Sequence, residues 1–212
     1  MFVSHKGKSP DWRRISGRRR SGGRLESRIP DGRRTGVPSD TNAHPHVDCT
    51  GRLAVVHNGI IENHRALRAR LAAAGHRMVS ETDTEVLAHL IEQQLNGSLE
   101  AAVAGALSEV HGACAMAVVD QDFPDRLVAA RVGGSPLIIG MANGEHVAAS
   151  DIPALLHLTR EESSYWRIKR LQPSPAVGVQ IRCLDGTPVR RPVQTITWST
   201  EAAESAVIRT SC

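Results

Sequence analysis

Three short segments are dense in groups that could do chemistry. They are Asn42-Ala43-His44-Pro45-His46, His57-Asn58-Gly59-Ile60-Ile61-Glu62-Asn63 and Ser80-Glu81-Thr82-Asp83-Thr84-Glu85. An Asn-Gly at the exit of an apolar run can aim an amide side chain and a backbone N–H at one point. Two fixed donors of that kind are what charge developing on a tetrahedral oxygen requires. The same dipeptide also suits a plain turn, and spacing alone favours the turn. Asp83 falls in the first turn of a helix-like stretch, where the helix dipole favours a carboxylate whatever its task. His44 and His46 have the chemistry of metal ligands, but the pair alone makes no metal signature, so no metal is assigned to them. Cys49, Cys114, Cys183 and Cys212 lie far apart with no CxxC pair. That spacing argues against a zinc site and a disulfide framework, and it fits a reducing cytoplasm. His64, His89, His111, His146 and His157 are scattered and read as structural or solvated. No cofactor is expected.

The elements around these segments follow from periodicity. Leu53–His57 is a continuous apolar run ended by Asn58-Gly59, a buried strand running into a turn. Residues 61–75 read as a helix with Leu67 and Leu71 on one face and Gly75 as its stop. His76–Ser80 is a short strand candidate. Thr82-Asp83-Thr84-Glu85 has the capping-box pattern and opens a helix with Val86, Leu87, Leu90, Ile91 and Leu95 along one stripe. Ser98 can cap a third helix carrying Leu99, Val103, Leu107 and Val110. Then come short aliphatic runs at 113–120, 126–131, 136–142 and 146–150. Asn143-Gly144 between the last two is a hairpin signal. Residues 151–156 read as one helical turn, 161–176 have neither period, and strand-like stretches resume at 177–183 and 189–198. Strand, helices, then a run of strands predicts an α+β layered fold.

Composition sets the outer limits. The 212 residues suit one domain, or one large and one small. The six aromatic residues leave any core to Leu, Val, Ile and Ala. No apolar run reaches membrane-spanning length, and the N-terminus has no apolar h-region, so a soluble cytoplasmic protein is expected. Charge is uneven: residues 1–35 hold eleven Lys or Arg against three Asp or Glu, while 36–212 hold fifteen against nineteen. The first stretch is too poor in aliphatics to order itself and is expected to be a disordered basic segment. Its Arg clusters admit a nucleic-acid-binding arm on a recycled domain, but nucleic acid is not the favoured partner. Salt-dependent DNA binding would reveal one.

Taken together, NAHPH, VVHNGIIENH, SETDTEVLAHL, RVGGSPLIIG and ASDIPALL resemble the glutaminase domain of the glutamine–fructose-6-phosphate aminotransferases, which are class II glutamine amidotransferases. The resemblance covers 36–162 and about 178–204. It implies an αββα N-terminal-nucleophile (Ntn) hydrolase sandwich, here incomplete, with a domain over 36–204, an irregular insert at 161–177 and an unstructured tail at 205–212. It implies glutamine as substrate: an N-terminal Cys attacks the side-chain amide, with its own α-amine as base. Asn58 and Gly59 match the oxyanion-hole pair, and Asp83 matches the carboxylate that holds the glutamine α-ammonium. His44, in the loop that walls the pocket, is a lesser substrate-binding candidate. The ammonia would pass to a sugar-phosphate isomerase domain that this chain does not contain.

The departures from that pattern are large. Met1 and Phe2 stand where the family has its Cys, and no other Cys adjoins an α-amine. Asp31 falls where the family has the Arg that pairs with the glutamine carboxylate. Codons permitted for Glu26–Gly36, read one register over, spell Val-Ala-His-Thr-Arg-Trp-Ala-Thr-His-Gly, the family motif. Ser163–Ala176 and Ser205–Cys212 can likewise be shifted to family-like peptides. The chain therefore reads as a frame-disrupted or artefactual copy, expected to be catalytically dead and to bind glutamine weakly or not at all. A folded pseudo-enzyme acting as a binding module is the alternative.

Overall fold

The computed structural model describes residues 2–6, 39–123, 126–142, 145–150, 164–167, 179–189 and 194–195. The elements in order are β1 (Phe2–Lys6), β2 (His46–Val47), β3 (Leu53–Ile61), α1 (His64–Ala73), α2 (Thr84–Gln94) and α3 (Leu99–Ser108). There follow β4 (Gly112–Asp120), β5 (Arg126–Val132), β6 (Ile138–Ala142), β7 (Glu145–Ala149), β8 (Ser164–Arg167), β9 (Val179–Arg182) and β10 (Gln194–Thr195). One sheet has the order β2-β3-β4-β5-β1-β9 and the other β10-β8-β6-β7. All the pairings are antiparallel.

Alternation along β3 and β4 sorts the side chains into two cores. Leu53, Val55 and Ile61 of β3, with Cys114, Met116 and Val118 of β4, face Leu67, Leu71, Leu87, Leu90 and Val103 of the helices. Ala115 and Ala129 face the other way and meet Leu137, Ile139 and Ile181. The first sheet thus has helices on one face and the second sheet on the other. The small residues of the inter-sheet core let the two sheets approach. The α+β expectation holds, and helix, sheet, sheet accounts for three layers of the αββα sandwich. No helix on the outer face of the second sheet is among the described residues.

Several local expectations need correction. Phe2–Lys6 lies in the segment read as a disordered basic stretch, yet it is a strand paired with β5 on one side and β9 on the other. A partner more than a hundred residues away supplies the order that local composition lacks. The irregular insert contains Ser164–Arg167, which pairs with β6 and β10. Asn58-Gly59 is not a turn, because β3 continues through it to Ile61 against β4. His76–Ser80 forms no strand. The capping box is not made: α2 begins at Thr84 with Asp83 as N-cap and no side-chain cap bond. Ser98 does cap α3, its hydroxyl accepting from the Ala101 N–H at 3.2 Å. The strands flanking Asn143-Gly144 pair as a hairpin. That turn, the helical turn at 151–156, Asp31 and residues 205–212 lie outside the described residues.

Candidate active site

The three polar segments meet at the C-terminal half of β3. Strand β2 pairs only with Ala54 and Val55, so the same edge of β3 from His57 to Ile61 faces loops instead. Asp83, 8% exposed, closes part of that edge: its carboxylate accepts the Ile61 N–H at 3.0 Å. Strand alternation puts the Gly59 N–H on the same edge as the Ile61 N–H. Gly59 itself has φ +141°, a conformation that L side chains rarely adopt, and a Cβ there would run into the backbone of Ala113 and Cys114. The sequence places glycine here because no other residue fits.

His44 lies across the same edge. Its ring donates to the backbone carbonyl of His57, and Asp83 is near enough to act on it electrostatically. His46 stands edge-on to His44, with ring centroids 5.3 Å apart. The peptide bond between His44 and Pro45 is cis. His57 is buried, with Nδ1 3.0 Å from the Thr84 hydroxyl and Nε2 without a partner among the described residues. Burial pushes the pKa of all three imidazoles down, and for His46 and His57 the neighbouring imidazoles add to the effect. Asp83 pulls in the opposite direction on each. The three rings are therefore neutral near pH 7 and flank one carboxylate.

Asn58 is placed differently. It sits opposite Ala115 in the register, on the inter-sheet side of the strand, and lines a cleft of about 200 Å³ with Val56, Leu137 and Ser150. Gly59, with no side chain, lies between this cleft and the Asp83–His44–His57 group. The structure thus gathers His44, Asp83 and Gly59 at one edge and opens Asn58 onto the cleft across the strand.

Glu85, Arg68, Asn42 and Asn63 hold the loops in place, and none of these roles is visible in local spacing. The Glu85 carboxylate, 1% exposed, accepts from the N–H groups of Val79 and Ser80 and from the Ser80 hydroxyl. Burial opposes its ionisation, but these bonds and Arg68 hold its pKa below the usual carboxylate range. Arg68 donates to the carbonyls of Ser80 and Thr82. The Asn42 side chain accepts the Glu81 N–H, joining the first loop to the third. Asn63 bonds Glu109 and His111 and pins the end of β3 to the α3–β4 turn. A Glu three residues after Thr82 suggested a cap. The signal that Glu85 instead organises the preceding loop is its burial, which only the fold supplies.

Residues 32–157 match the family described as the glutamine amidotransferase domain. The chain belongs to that family. The amidotransferase-family chain is 47% identical over 174 residues to the glutamine–fructose-6-phosphate aminotransferase (isomerizing) of Thermus thermophilus, covering 80% of this chain and 28% of the relative. It is 46% identical over 189 residues to the enzyme of that name from Symbiobacterium thermophilum, covering 83% and 30%. Against the Pyrococcus horikoshii enzyme of that name the identity is 54% over 127 residues, covering 59% and 21%. The chain spans less than a third of the length of these relatives. Among solved structures, the glutamine phosphoribosylpyrophosphate amidotransferase of B. subtilis, complexed with ADP and GMP, aligns with a TM-score of 0.48 and 26% identity. That alignment covers 69% of this chain and 29% of the other.

No helix among the described residues is long and apolar enough to cross a membrane.

Proposed function

We propose that this amidotransferase-family domain keeps the glutamine-facing loops but does not hydrolyse glutamine. The carrying observation is the state of Cys114. It is the register partner of Gly59 and so the described thiol nearest, along the ladder, to the oxyanion-hole candidates. It is fully buried, and burial with the nearby Asp83 charge pushes its pKa up to about 12. The thiolate is the nucleophile in covalent amide chemistry, and this thiol stays protonated at pH 7. Cys49 lies in the loop after β2 and Cys183 in the turn after β9, both away from the Asn58–Gly59 ladder position. Asn58 and Gly59 can stabilise a tetrahedral oxyanion only after a nucleophile has formed one.

Glutamine remains the ligand class that the loops suit. Asp83 would meet its α-ammonium, with His44 against the pocket wall. Binding is weak, because Asp31 takes the place at which the family resemblance puts an Arg for the α-carboxylate. Loss of such a charge-assisted pair costs on the order of 1.5–3 kcal/mol.

The test is glutamate and ammonia release from glutamine by the purified chain. It is run beside a variant carrying Cys49→Ala, Cys114→Ala, Cys183→Ala and Cys212→Ala. No release above buffer is expected from either protein. Turnover that vanishes in the variant would show that an internal thiol serves as nucleophile and would overturn the proposal.

A further inference from the structure

Away from the β3 edge, four potential ligands come together at the other end of α2. Cys49, His76, His89 and Glu92 each offer one ligand atom, and these atoms all lie within 4.8 Å of one another. We propose that Cys49, His76, His89 and Glu92 form a tetrahedral zinc site that clips the β2–β3 loop to the helix layer.

Four of the six ligand–ligand edges are close to those of a tetrahedron. Cys49 Sγ is 3.5 Å from His89 Nδ1 and 3.6 Å from His76 Nδ1. Zn–S and Zn–N bonds of about 2.3 and 2.0–2.1 Å at the tetrahedral angle give an S···N edge of about 3.5 Å. Glu92 Oε2 lies 2.9 Å from His76 Nδ1 and 3.1 Å from His89 Nδ1. The corresponding edge in a zinc site is about 3.3 Å, a few tenths of an ångström wider. One thiolate, two imidazoles and a carboxylate are a donor set that suits zinc among the common divalent ions.

Proton counting points the same way. Without a metal, Glu92 Oε2 faces the Cys49 N–H and both imidazole Nδ1 atoms at once. If His89 donates through Nδ1, its neutral ring leaves Nε2 as a bare acceptor, and Nε2 is buried without a partner among the described residues. With the proton on Nε2 instead, Nδ1 turns a lone pair toward the centre of the cluster. Glu85 Oε1 lies 3.9 Å from Nε2, too far for a hydrogen bond but close enough to favour a proton there electrostatically. His89 is 1% exposed while Cys49 is at the surface, so the cluster has a buried wall and an open entry. On binding, the thiol proton leaves to solvent and the sulfur becomes a thiolate ligand.

The ligands escaped the sequence pattern because Cys49 is 27 residues from His76 and 40 from His89. Only His89 and Glu92 are close in sequence, one helical turn apart. A zinc ion there would anchor the loop just after His44-Pro45-His46 and the helix that begins beside Asp83.

The full chain, stripped with EDTA and dialysed, is titrated with Co²⁺ as an optical probe and then with Zn²⁺. One equivalent of Co²⁺ should give a thiolate-to-cobalt charge-transfer band with tetrahedral d–d bands, and Zn²⁺ should displace it. Cys49→Ser should abolish the charge-transfer band and weaken Zn²⁺ binding about 100-fold. Glu92→Gln, at a half-buried position that leaves the core intact, should keep the band and weaken Zn²⁺ about tenfold. Cys183→Ser should change neither. Absence of saturable Zn²⁺ uptake, a cobalt spectrum without the thiolate band, a band that survives Cys49→Ser, or one lost in Cys183→Ser would each overturn the site.

Discussion

A Cβ built on Gly59 would lie 2.0 Å from the carbonyl oxygen of Ala113, backbone that has no easy way to move aside. Gly59→Ala therefore combines a steric clash with an unfavourable φ. It should destabilise the fold by on the order of 2–4 kcal/mol, read as a lower urea midpoint at unchanged m-value. The Asn58-Gly59 pair was legible in the sequence as a special backbone position, but its place inside a strand was not. The reason is that the ladder with β4 extends the strand past a dipeptide that locally prefers to turn. Glu85 makes a prediction of a different kind. Its folded-state pKa lies below the ordinary value, so the folded protein binds fewer protons there than the unfolded chain. Its contribution is present at neutral pH and is lost as pH falls below about 4.3, through the depressed folded value. Glu85→Gln should lower stability at pH 7 and flatten the acid limb of the profile below that value. An acid limb as steep in the variant as in the parent would refute this account.

At the scale of elements, β1 is the strand whose loss reaches furthest, because it lies between β5 and β9 rather than at an edge. Val3→Pro removes one backbone donor and fixes φ in the middle of that ladder. The expected cost is about 3 kcal/mol, with hydrogen-exchange protection falling both in Leu127–Ala130 and in Val179–Arg182. Loss confined to one of the two neighbours would argue against the interior placement. The helices were legible because Leu67 and Leu71, and Val86 through Ile91, repeat at helical spacing and are buried as that spacing requires. Phe2–Lys6 and Ser164–Arg167 were not. Each is only a few residues long, sits in a charged or aperiodic context and is ordered by partners far along the chain. Short-range pattern reading has no access to such pairings. The loop at 80–85 shows the same limit: its residues marked it as functional, while Arg68 and Asn42, which hold it, come from other elements.

For the molecule as a whole, the concentration of neutral imidazoles beside β3 sets a pH response. His44, His46 and His57 all have pKa values pushed below 6.5, chiefly by burial. Unfolding raises those values, so below about pH 6.5 the unfolded chain binds more protons and stability falls with pH. The urea midpoint should drop between about pH 7.5 and about pH 5, before the carboxylates contribute. A flat midpoint across that interval would show that these rings titrate normally in the folded state. The layered architecture was foreseeable from the order of helical and strand-like runs, and the two cores follow from alternation along β3 and β4. The position of β1 bears on how the protein is made. During synthesis Phe2–Lys6 emerges well before its partners, with β5 following more than a hundred residues later and β9 some fifty residues after that. The second edge of β1 cannot be covered until Arg182 has cleared the ribosome. Such distant pairing slows folding and leaves strand edges uncovered in the meantime. This domain should therefore depend on chaperones more than one whose strands pair with near neighbours.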